Sequence, residues 1–382
     1  MPIVTPRLRL PLPRLRKGQS RFAPRAATRD RLSELEGVRD NPGNLRARCY
    51  VPDGLRPGAP LVVVLHGCTQ DAAVYDHGSG WSTLADPHGF ALLFPEQRRA
   101  NNPMLCFNWF SGNDTQRGMG EAASIRSMIE AMKAAHGVDP RRVFVTGLSA
   151  GGAMASVMLA TYPEVFAGGA ILAGVAYGCA DGVAEAFDCM GGRAKSDAAA
   201  LAAQVRRASP HKGPWPRVQV WQGSADRTVV PNNADAIVLQ WAALHGLAPQ
   251  PDRVDNVEGH PRRTWLGANG APLIEQVSVT GMAHGVPLDI AGAGGGEALG
   301  AAGAHMLDVG LSSTQRIAEF FGIAPAAGGV AAAAASTTKV PRPARGPVRP
   351  AAERTRPATA PAQPVGVQKV IEDALRNAGL MR

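Results

Sequence analysis

The feature that most constrains the fold is a glycine-flanked serine between a strand pattern and a helix pattern. Residues 143–146 are β-branched or aromatic, Gly-Leu-Ser-Ala-Gly follows at 147–151, and residues 153–160 read as a helix. A sharp turn in this setting lifts a serine hydroxyl out at the edge of a sheet as a nucleophile. The glycines fit because side chains there would collide with the strained backbone and keep substrate away. Ser149 is therefore the candidate nucleophile, and a plain turn serine is the alternative in a chain with 44 glycines.

Composition restricts the classes of protein to which the chain can belong. Of its 382 residues, 45% are hydrophobic and 19% are charged, which suits one large packed domain with tails. No apolar run approaches the length needed to span a bilayer, which argues against an integral membrane protein. The net charge of +9 resides in the termini, with +8 in residues 1–31 and +6 in residues 339–382, and the middle carries −5. A specific nucleic-acid partner is thus not indicated.

The alternation of strand and helix patterns predicts the fold class. Residues 61–65 are apolar throughout, as in a parallel strand covered on both faces. Strands that alternate with helices predict an α/β fold with a mostly parallel central sheet and helices on both faces. Residues 174–215 interrupt this rhythm and are expected to form a small cap or binding loop, or an ordinary connection. The other predicted strands are 45–51, 90–94 (ended by Pro95), 170–173, 218–222 and 273–279, and further predicted helices are 121–135 and 234–244.

An acid and a base follow the candidate nucleophile, each directly after a predicted strand. A serine hydroxyl attacks well only when a base removes its proton, and the order with this turn is serine, acid, histidine. Asp226 follows the 218–222 strand and His284 follows the 273–279 strand. Both are candidates, and a turn aspartate and a surface histidine are the alternatives.

Other acids and histidines are less well placed. Asp235 falls within a predicted helix and Asp255 within a polar segment, so neither is preferred as the acid. Of the other histidines, His136 stands before a turn glycine, and His260 and His305 lie in loops with no preceding strand. His66 has a structural position beside the loop that follows the 61–65 strand.

Two backbone amides are candidates for binding the negative charge that develops on a substrate oxygen. One belongs to Ala150, directly after the nucleophile. The other lies in the loop after the 61–65 strand, where Cys68 is the first choice and Thr69 the second. Trp109 follows an early strand and is a candidate either for lining the acyl pocket or for the core.

Both ends of the chain are expected to lie outside the catalytic domain, which is predicted at residues 32–323. Residues 1–31 lack the pattern of a signal peptide, so a disordered extension, a transit-like segment and a misplaced start codon stay open. Residues 324–366 read as an Ala/Pro-rich linker, and residues 367–382 as a short amphipathic helix.

The five cysteines, at positions 49, 68, 106, 179 and 189, include no Cys-x-x-Cys pair. Neither a zinc ribbon nor a thioredoxin-type redox motif is therefore supported. Cys179 and Cys189 are close enough to clip a surface loop, and Cys68 and Cys106 both follow predicted strands. Spacing alone leaves open both disulfides, which indicate an oxidising compartment, and buried free thiols.

Five segments together resemble the short-chain polyhydroxyalkanoate (polyhydroxybutyrate) depolymerase-like esterases of the α/β-hydrolase superfamily. They span about residues 40–323 and are Leu-His-Gly-Cys-Thr-Gln at 65–70, Cys-Phe-Asn-Trp-Phe at 106–110, Gly-Leu-Ser-Ala-Gly-Gly at 147–152, Trp-Gln-Gly-Ser-Ala-Asp at 221–226 and Gly-Met-Ala-His-Gly at 281–285. The resemblance implies an α/β-hydrolase fold and a serine esterase without metal or organic cofactor. It implies an acyl-enzyme route on hydroxyalkanoate esters or, as in relatives, on feruloyl and acetyl esters of plant polysaccharides. It also supports Cys68 and Trp109 as site residues, favours disulfide pairing and places the protein outside the cytoplasm.

The chain departs from secreted polymer depolymerases in two ways. It shows neither a signal peptide nor a polymer-binding module, so soluble oligomers or small esters are expected rather than crystalline polymer. If Met1 is the true start, a cytoplasmic location is expected. A non-catalytic protein of this fold that binds polymer granules or a partner is the alternative from another class, and the order of Ser149, Asp226 and His284 argues against it.

Overall fold

The structure is a computed structural model that describes residues 30–194, 197–292 and 298–326. The predictions for the basic extension, the linker and the C-terminal helix fall outside these ranges, except at residues 30, 31 and 324–326. The domain limits of 32–323 therefore stay a prediction.

The strands of the main sheet come from the whole length of the described chain. They are β1 (Ser33–Glu34), β2 (Arg46–Tyr50), β3 (Leu61–Leu65), β4 (Ala91–Glu96), β5 (Val143–Leu148), β6 (Gly168–Leu172), β7 (Arg217–Gly223), β8 (Arg253–Val257), β9 (His260–Leu266) and β10 (Pro272–Val279). A separate parallel pair is formed by β11 (Val286–Leu288) and β12 (Met306–Asp308).

The helices lie mostly in the connections between strands. They are α1 (Ala72–Ser79), α2 (Trp81–His88), α3 (Gly112–Thr115), α4 (Gly120–His136), α5 (Ala150–Thr161), α6 (Val183–Met190), α7 (Ala198–Ala208), α8 (Asn232–His245) and α9 (Ser313–Phe321). Among the described residues, no helix is long and apolar enough to cross a membrane.

The sheet is parallel through its centre and antiparallel at both edges. In the described chain its ten strands have the order β1-β2-β4-β3-β5-β6-β7-β10-β9-β8. The pairs from β4 to β10 are parallel, whereas β1, β2, β8 and β9 join by antiparallel pairing. Leu65 lies opposite Gly147, so β3 and β5 end at the same edge. The predicted mostly parallel α/β sheet is confirmed.

Side chains that alternate along the central strands supply two cores, one on each face of the sheet. Val63 belongs to the core that is covered by α4, α5 and α8, and its neighbour Val64 belongs to the core beneath α1, α2 and α9. On that second face Phe144 stacks on Phe321, with ring centroids 4.5 Å apart. Burial of an aromatic side chain of this size stabilises the fold by about 1.5–3 kcal/mol. The predicted helices on both faces are confirmed.

Two predictions about strands are wrong, and both concern polar or proline-containing segments. Pro95 does not end β4 but lies within it opposite Ala47 of β2. The ladder between β3 and β4 stops at Leu93, so one side of Pro95 has no strand to which an N–H would donate. Asp255 and His260 lie in strands β8 and β9 rather than in loops. This hairpin is at the sheet edge, where exposed polar side chains conceal the strand pattern.

Residues 174–215, which were expected to form a cap, a binding loop or an ordinary connection, contain the helices α6 and α7. The two helices have different packing partners. Helix α7 packs against α5 and α8, and thus serves as an ordinary crossover between β6 and β7. Helix α6 carries Cys189, which forms a disulfide with Cys179. The backbone N–H of Val230 donates to the Met190 carbonyl at 2.9 Å, which ties the end of α6 to the loop after β7.

Candidate active site

Ser149 occupies the sharp corner between β5 and α5. Its φ of 56° and ψ of −117° lie in a region that residues other than glycine rarely adopt. The corner is held by hydrogen bonds from the Ser149 N–H to the Leu172 carbonyl at 2.9 Å and from the Ala153 N–H to the Ser149 carbonyl at 2.8 Å. Such strain persists only where the surroundings enforce it, and it is typical of functional sites.

The flanking glycines are required because the end of β3 packs against the first turn of α5. A Cβ atom at Gly151 would lie 2.6 Å from the His66 carbonyl oxygen and still closer to that of Leu65. A Cβ atom at Gly147 would lie 2.9 Å from the Leu65 Cβ and would collide with the Gly151 backbone. The predicted collision is confirmed, but the chain's own backbone fills this space, so access for substrate is not the reason for these glycines.

Asp226 is buried in the loop after β7 and accepts four hydrogen bonds. Its Oδ1 accepts from the backbone N–H groups of Thr228 at 2.8 Å and Val229 at 3.0 Å. Its Oδ2 accepts from Gln222 Nε2 at 3.1 Å and from His284 Nδ1 at 2.7 Å. These contacts fix the orientation of the carboxylate and leave one oxygen directed at the histidine.

His284 is a buried side chain in the loop after β10. Because a carboxylate only accepts hydrogen bonds, the contact with Asp226 places the proton of the neutral imidazole on Nδ1 and leaves Nε2 as a base. The loops after β7 and β10 are joined by bonds from the Ala225 N–H to the Met282 carbonyl at 3.0 Å and from the Gly281 N–H to Ser224 Oγ at 2.8 Å. The structure thus brings the predicted acid and base together.

Ser149 and His284 share the wall of a largely apolar cavity of about 200 Å³. The other residues that line it come from the end of β5, from the loop after β3 and from segments after β4, β7 and β11: Leu148, Gly67, Cys68, Thr69, Gln70, Met104, Thr228 and His305.

The two amides predicted to bind a developing negative charge have different settings. Ala150 is the first residue of α5, where backbone N–H groups have no partner within the helix. Neither Ala150 nor Cys68 donates its N–H to an acceptor among the described residues. The Thr69 N–H, by contrast, donates to the Met104 carbonyl at 2.6 Å, so the second choice for this role is engaged elsewhere. Cys68 is held by a disulfide with Cys106, whose S–S distance is 2.06 Å.

A buried carboxyl group that the sequence did not reveal is hydrogen-bonded to the segment that contains Cys106, the disulfide partner of Cys68. Glu121 accepts from the Asn108 N–H at 2.9 Å, from Asn108 Nδ2 at 2.8 Å and from Gln97 Nε2 at 2.6 Å. Gln97 Nε2 also donates to the Cys106 carbonyl at 3.0 Å, and the Gln97 N–H donates to His66 Nε2 at 3.1 Å. The only sequence signal was an acid in the first turn of a helix, which usually indicates no more than a favourable interaction with the helix dipole.

Replacing Glu121 by Gln is expected to flatten the pH dependence of stability. Burial, with a smaller effect of Asp114, raises the pKa of Glu121 from 4.5 to about 8. Between these values the folded state binds a proton that the unfolded state has released, so the free energy of unfolding falls as pH rises. Below pH 4.5 this contribution is fully present, and it is lost above pH 8. The group changes the free energy of unfolding by up to about 1.4 kcal/mol per pH unit within that window.

Urea unfolding at pH 5, 6, 7 and 8 measures this effect. Glu130→Gln on the same helix is the control, because ion pairs with Arg126 and Lys133 stabilise the exposed Glu130 carboxylate and lower its pKa. Its titration therefore falls below the window. Equal slopes for Glu121→Gln and the unmodified protein would contradict the prediction.

Trp109 is not on the wall of the cavity beside Ser149. Its half-buried ring meets the Phe110 ring edge-on, with centroids 5.4 Å apart. It packs against a small cluster of buried side chains on and beside α5: Ala153, Val175, Cys189 and Val229. Its role as a substrate contact stays a prediction, and in this structure its contacts are those of a packing residue.

The other residues that we considered lie elsewhere or have structural partners. Asp235 and Asp255 form ion pairs with Arg263 and Arg262. His66 is buried and donates from Nδ1 to the Gly67 carbonyl at 2.8 Å, in keeping with its predicted structural position. His305 was set aside for lack of a preceding strand, yet the structure places it on the cavity wall.

Both cysteine pairs that spacing left undecided form disulfides. In addition to the bond between Cys68 and Cys106, Cys179 and Cys189 are joined with an S–S distance of 2.10 Å. Cys49 is a buried free thiol. In the described ranges, no three His, Cys, Asp or Glu side chains are grouped so as to hold a metal ion.

Comparison with known proteins gives the family. Residues 46–254 match the family described as Esterase PHB depolymerase. The chain is 47% identical over 293 residues to poly(3-hydroxyalkanoate) depolymerase C of Paucimonas lemoignei, a match that covers 76% of this chain and 70% of that protein. It is 31% identical over 283 residues to a probable acetylxylan esterase A of Aspergillus clavatus, covering 72% of this chain and 89% of that one.

A solved structure agrees with the sequence comparisons. The acetyl xylan esterase from Aspergillus awamori superposes with a TM-score of 0.65 at 26% identity, over 77% of this chain and 99% of that chain. The strand order, the strained serine corner and these matches lead to one assignment. The chain belongs to the Esterase PHB depolymerase family and is an ester hydrolase with the α/β-hydrolase fold.

Proposed function

We propose that the chain is a serine esterase that hydrolyses short hydroxyalkanoate esters through an acyl-enzyme intermediate. The observation that carries this proposal is the 2.7 Å contact between Asp226 Oδ2 and the Nδ1 of His284, a residue that lines the same cavity as Ser149. The contact keeps the proton of the neutral imidazole on Nδ1 and leaves the lone pair of Nε2 available as a base for Ser149.

The proposed reaction has two halves of the same form. His284 Nε2 takes the proton from Ser149 Oγ as the oxygen attacks the ester carbonyl, and the backbone N–H groups of Cys68 and Ala150 bind the oxyanion. His284 then gives the proton to the leaving alcohol. A water molecule, activated by the same nitrogen, attacks the acyl-enzyme and releases the acid. Asp226 keeps the imidazole oriented and stabilises its positive charge.

The proposed substrate class is supported by the Paucimonas lemoignei relative and by the size of the cavity. The Paucimonas protein is named as a poly(3-hydroxyalkanoate) depolymerase, and its 47% identity exceeds the 31% of the acetylxylan esterase relative. A cavity of about 200 Å³ suits a short acyl group. Acetylxylan or feruloyl ester hydrolysis is the second candidate, and the likeness to the Aspergillus awamori enzyme supports its acetylxylan form.

We also propose that the protein works outside the cytoplasm. Two disulfides, Cys68–Cys106 and Cys179–Cys189, support this location, because such bonds form and persist in oxidising compartments.

A side-by-side assay tests the substrate class. We expect kcat/KM to be highest on soluble 3-hydroxybutyrate oligomers and lower on acetylated xylan and methyl ferulate, with p-nitrophenyl butyrate as a common reference. Faster turnover of acetylated xylan or methyl ferulate would instead support the second candidate. No turnover of any of the four esters by folded protein would contradict the proposed activity as a whole.

A further inference from the structure

A second histidine lies beside the proposed base, and the reaction described above does not use it. His305 precedes β12 and lines the same cavity as Ser149 and His284. Its ring meets the His284 ring edge-on, with centroids 5.7 Å apart and an interplanar angle of 79°. His305 therefore stands where a substrate bound next to Ser149 comes within reach.

One contact determines which ring nitrogen of His305 carries the proton and which one can accept a hydrogen bond. Its Nδ1 lies 3.1 Å from the His284 carbonyl oxygen. A carbonyl oxygen only accepts, so Nδ1 carries the proton and the lone pair of the neutral ring is on Nε2. Within the part of the chain that the structure describes, no group donates to this Nε2.

The backbone holds His305 in this position at a cost. Its φ of +60° is left-handed, which is uncommon for a residue with a side chain. The conformation is enforced by the pairing of β11 with β12 and by a bond from the Val286 N–H to the His305 carbonyl at 2.8 Å. Strain that is kept by its surroundings at a cavity wall indicates a functional position.

Apart from the proposed base and the rotatable hydroxyls of Ser149, Thr69 and Thr228, the rest of the wall offers few free acceptors. Leu148 and Met104 contribute apolar side chains, and the Met104 carbonyl already accepts from the Thr69 N–H. The side-chain oxygen of Gln70 accepts from the Gly67 N–H at 2.9 Å. His305 Nε2 is thus a fixed, unengaged acceptor in a mainly apolar surface, which is the arrangement that selects a substrate hydroxyl.

We infer that His305 determines specificity by accepting a hydrogen bond from the hydroxyl of a hydroxyacyl ester. This inference rests on the proposed esterase function and names the chemical feature that its site recognises. A site that pairs with a substrate hydroxyl discriminates against the analogue that lacks it, because the acceptor is then left without a partner. Hydroxyalkanoate esters are distinguished from plain alkanoate esters in this way.

Two substitutions distinguish the donor role of His305 Nδ1 from the acceptor role of His305 Nε2. Asn tolerates the left-handed backbone, and its amide reaches the position of Nδ1, so His305→Asn keeps a donor for the His284 carbonyl and removes the acceptor. His305→Gln extends an amide to the position of Nε2 and so keeps an acceptor. His77→Asn replaces an exposed histidine on α1 and is the control.

The measurement is the ratio of kcat/KM for ethyl 3-hydroxybutyrate to that for ethyl butyrate. A ratio taken within one preparation does not depend on the fraction of active protein. We expect His305→Asn to lower this ratio about 5- to 10-fold, the loss of one neutral hydrogen bond, His305→Gln to retain most of it, and His77→Asn to leave it unchanged.

The opposite results are equally distinct. An equal loss on both esters in His305→Asn would overturn the inference and indicate that His305 only positions His284. An unchanged ratio would also overturn it. Failure of the unmodified protein to hydrolyse either ester, or any ester of the assay panel, would count against the proposed function itself rather than against the role of His305.

Discussion

Replacing Ser149 by Ala is expected to lower kcat by about 10⁴- to 10⁶-fold while the protein stays folded. The proposed reaction begins with a covalent bond from Ser149 Oγ, and no acyl-enzyme forms without it. The corner itself depends on backbone bonds to Leu172 and Ala153, which the substitution leaves intact. Residual hydrolysis is expected only from binding and from the two amides of the oxyanion site.

Kinetics on p-nitrophenyl butyrate and labelling with a fluorophosphonate probe both measure this effect. The unmodified protein should carry the label on the peptide that contains Ser149, and the variant should carry none. Ser127→Ala is the control, because this serine lies on α4 and its hydroxyl accepts from the Asp40 N–H. It should retain full activity and labelling. Full hydrolysis by the Ser149 variant would remove Ser149 as the nucleophile and with it the basis of the proposed reaction, whereas absence of labelling in the folded, unmodified protein would favour a non-catalytic role.

Replacing Asp226 by Asn is expected to lower kcat by about 10⁴-fold through the tautomer of His284. The side-chain amide of Asn has one acceptor oxygen and one NH₂ group that only donates, whereas both oxygens of Asp226 accept, in four hydrogen bonds. Its oxygen is best used by the N–H groups of Thr228 and Val229, so its NH₂ faces His284 Nδ1. The imidazole then carries its proton on Nε2, where it no longer acts as a base toward Ser149.

The matched controls are the two other acids considered in the sequence. Asp235→Asn and Asp255→Asn weaken ion pairs with Arg263 and Arg262 away from the cavity, and each should keep kcat within about 2-fold. Thermal unfolding shows whether a loss of activity reflects a loss of folded protein. If Asp226→Asn matches these controls in activity, Asp226 does not orient the base.

The central strands could be predicted closely because they are buried on both faces. Leu61–Leu65 was predicted with the bounds that the structure shows, since a continuous apolar run of this length has few other uses. The β8–β9 hairpin was missed for the opposite reason. Its residues include exposed Arg253 and Val254 and the ion-paired Asp255, so neither alternation nor an apolar run marks the strand.

Two site features depended on contacts between distant segments and left no local signal. His305 reaches the cavity because β12 pairs with β11. The glycine-rich sequence before His305 has no pattern that predicts this pairing. Glu121 resembles any acid at the start of a helix until the folded chain surrounds it with Gln97 and Asn108. Trp109 was a candidate for either the acyl pocket or the core, and the structure shows it packed beside α5.

The sequence by itself determined the fold class and the candidates Ser149, Asp226 and His284. Each of them follows a recognisable strand, and parallel strands bring their carboxyl ends to one edge of the sheet. Only the tertiary structure decided that Cys68 pairs with Cys106, that the Thr69 N–H donates to the Met104 carbonyl and that His305 lines the cavity. These outcomes depend on which loops pack together. Such packing is determined by the distances between residues far apart in the chain, which local patterns of side chains do not encode.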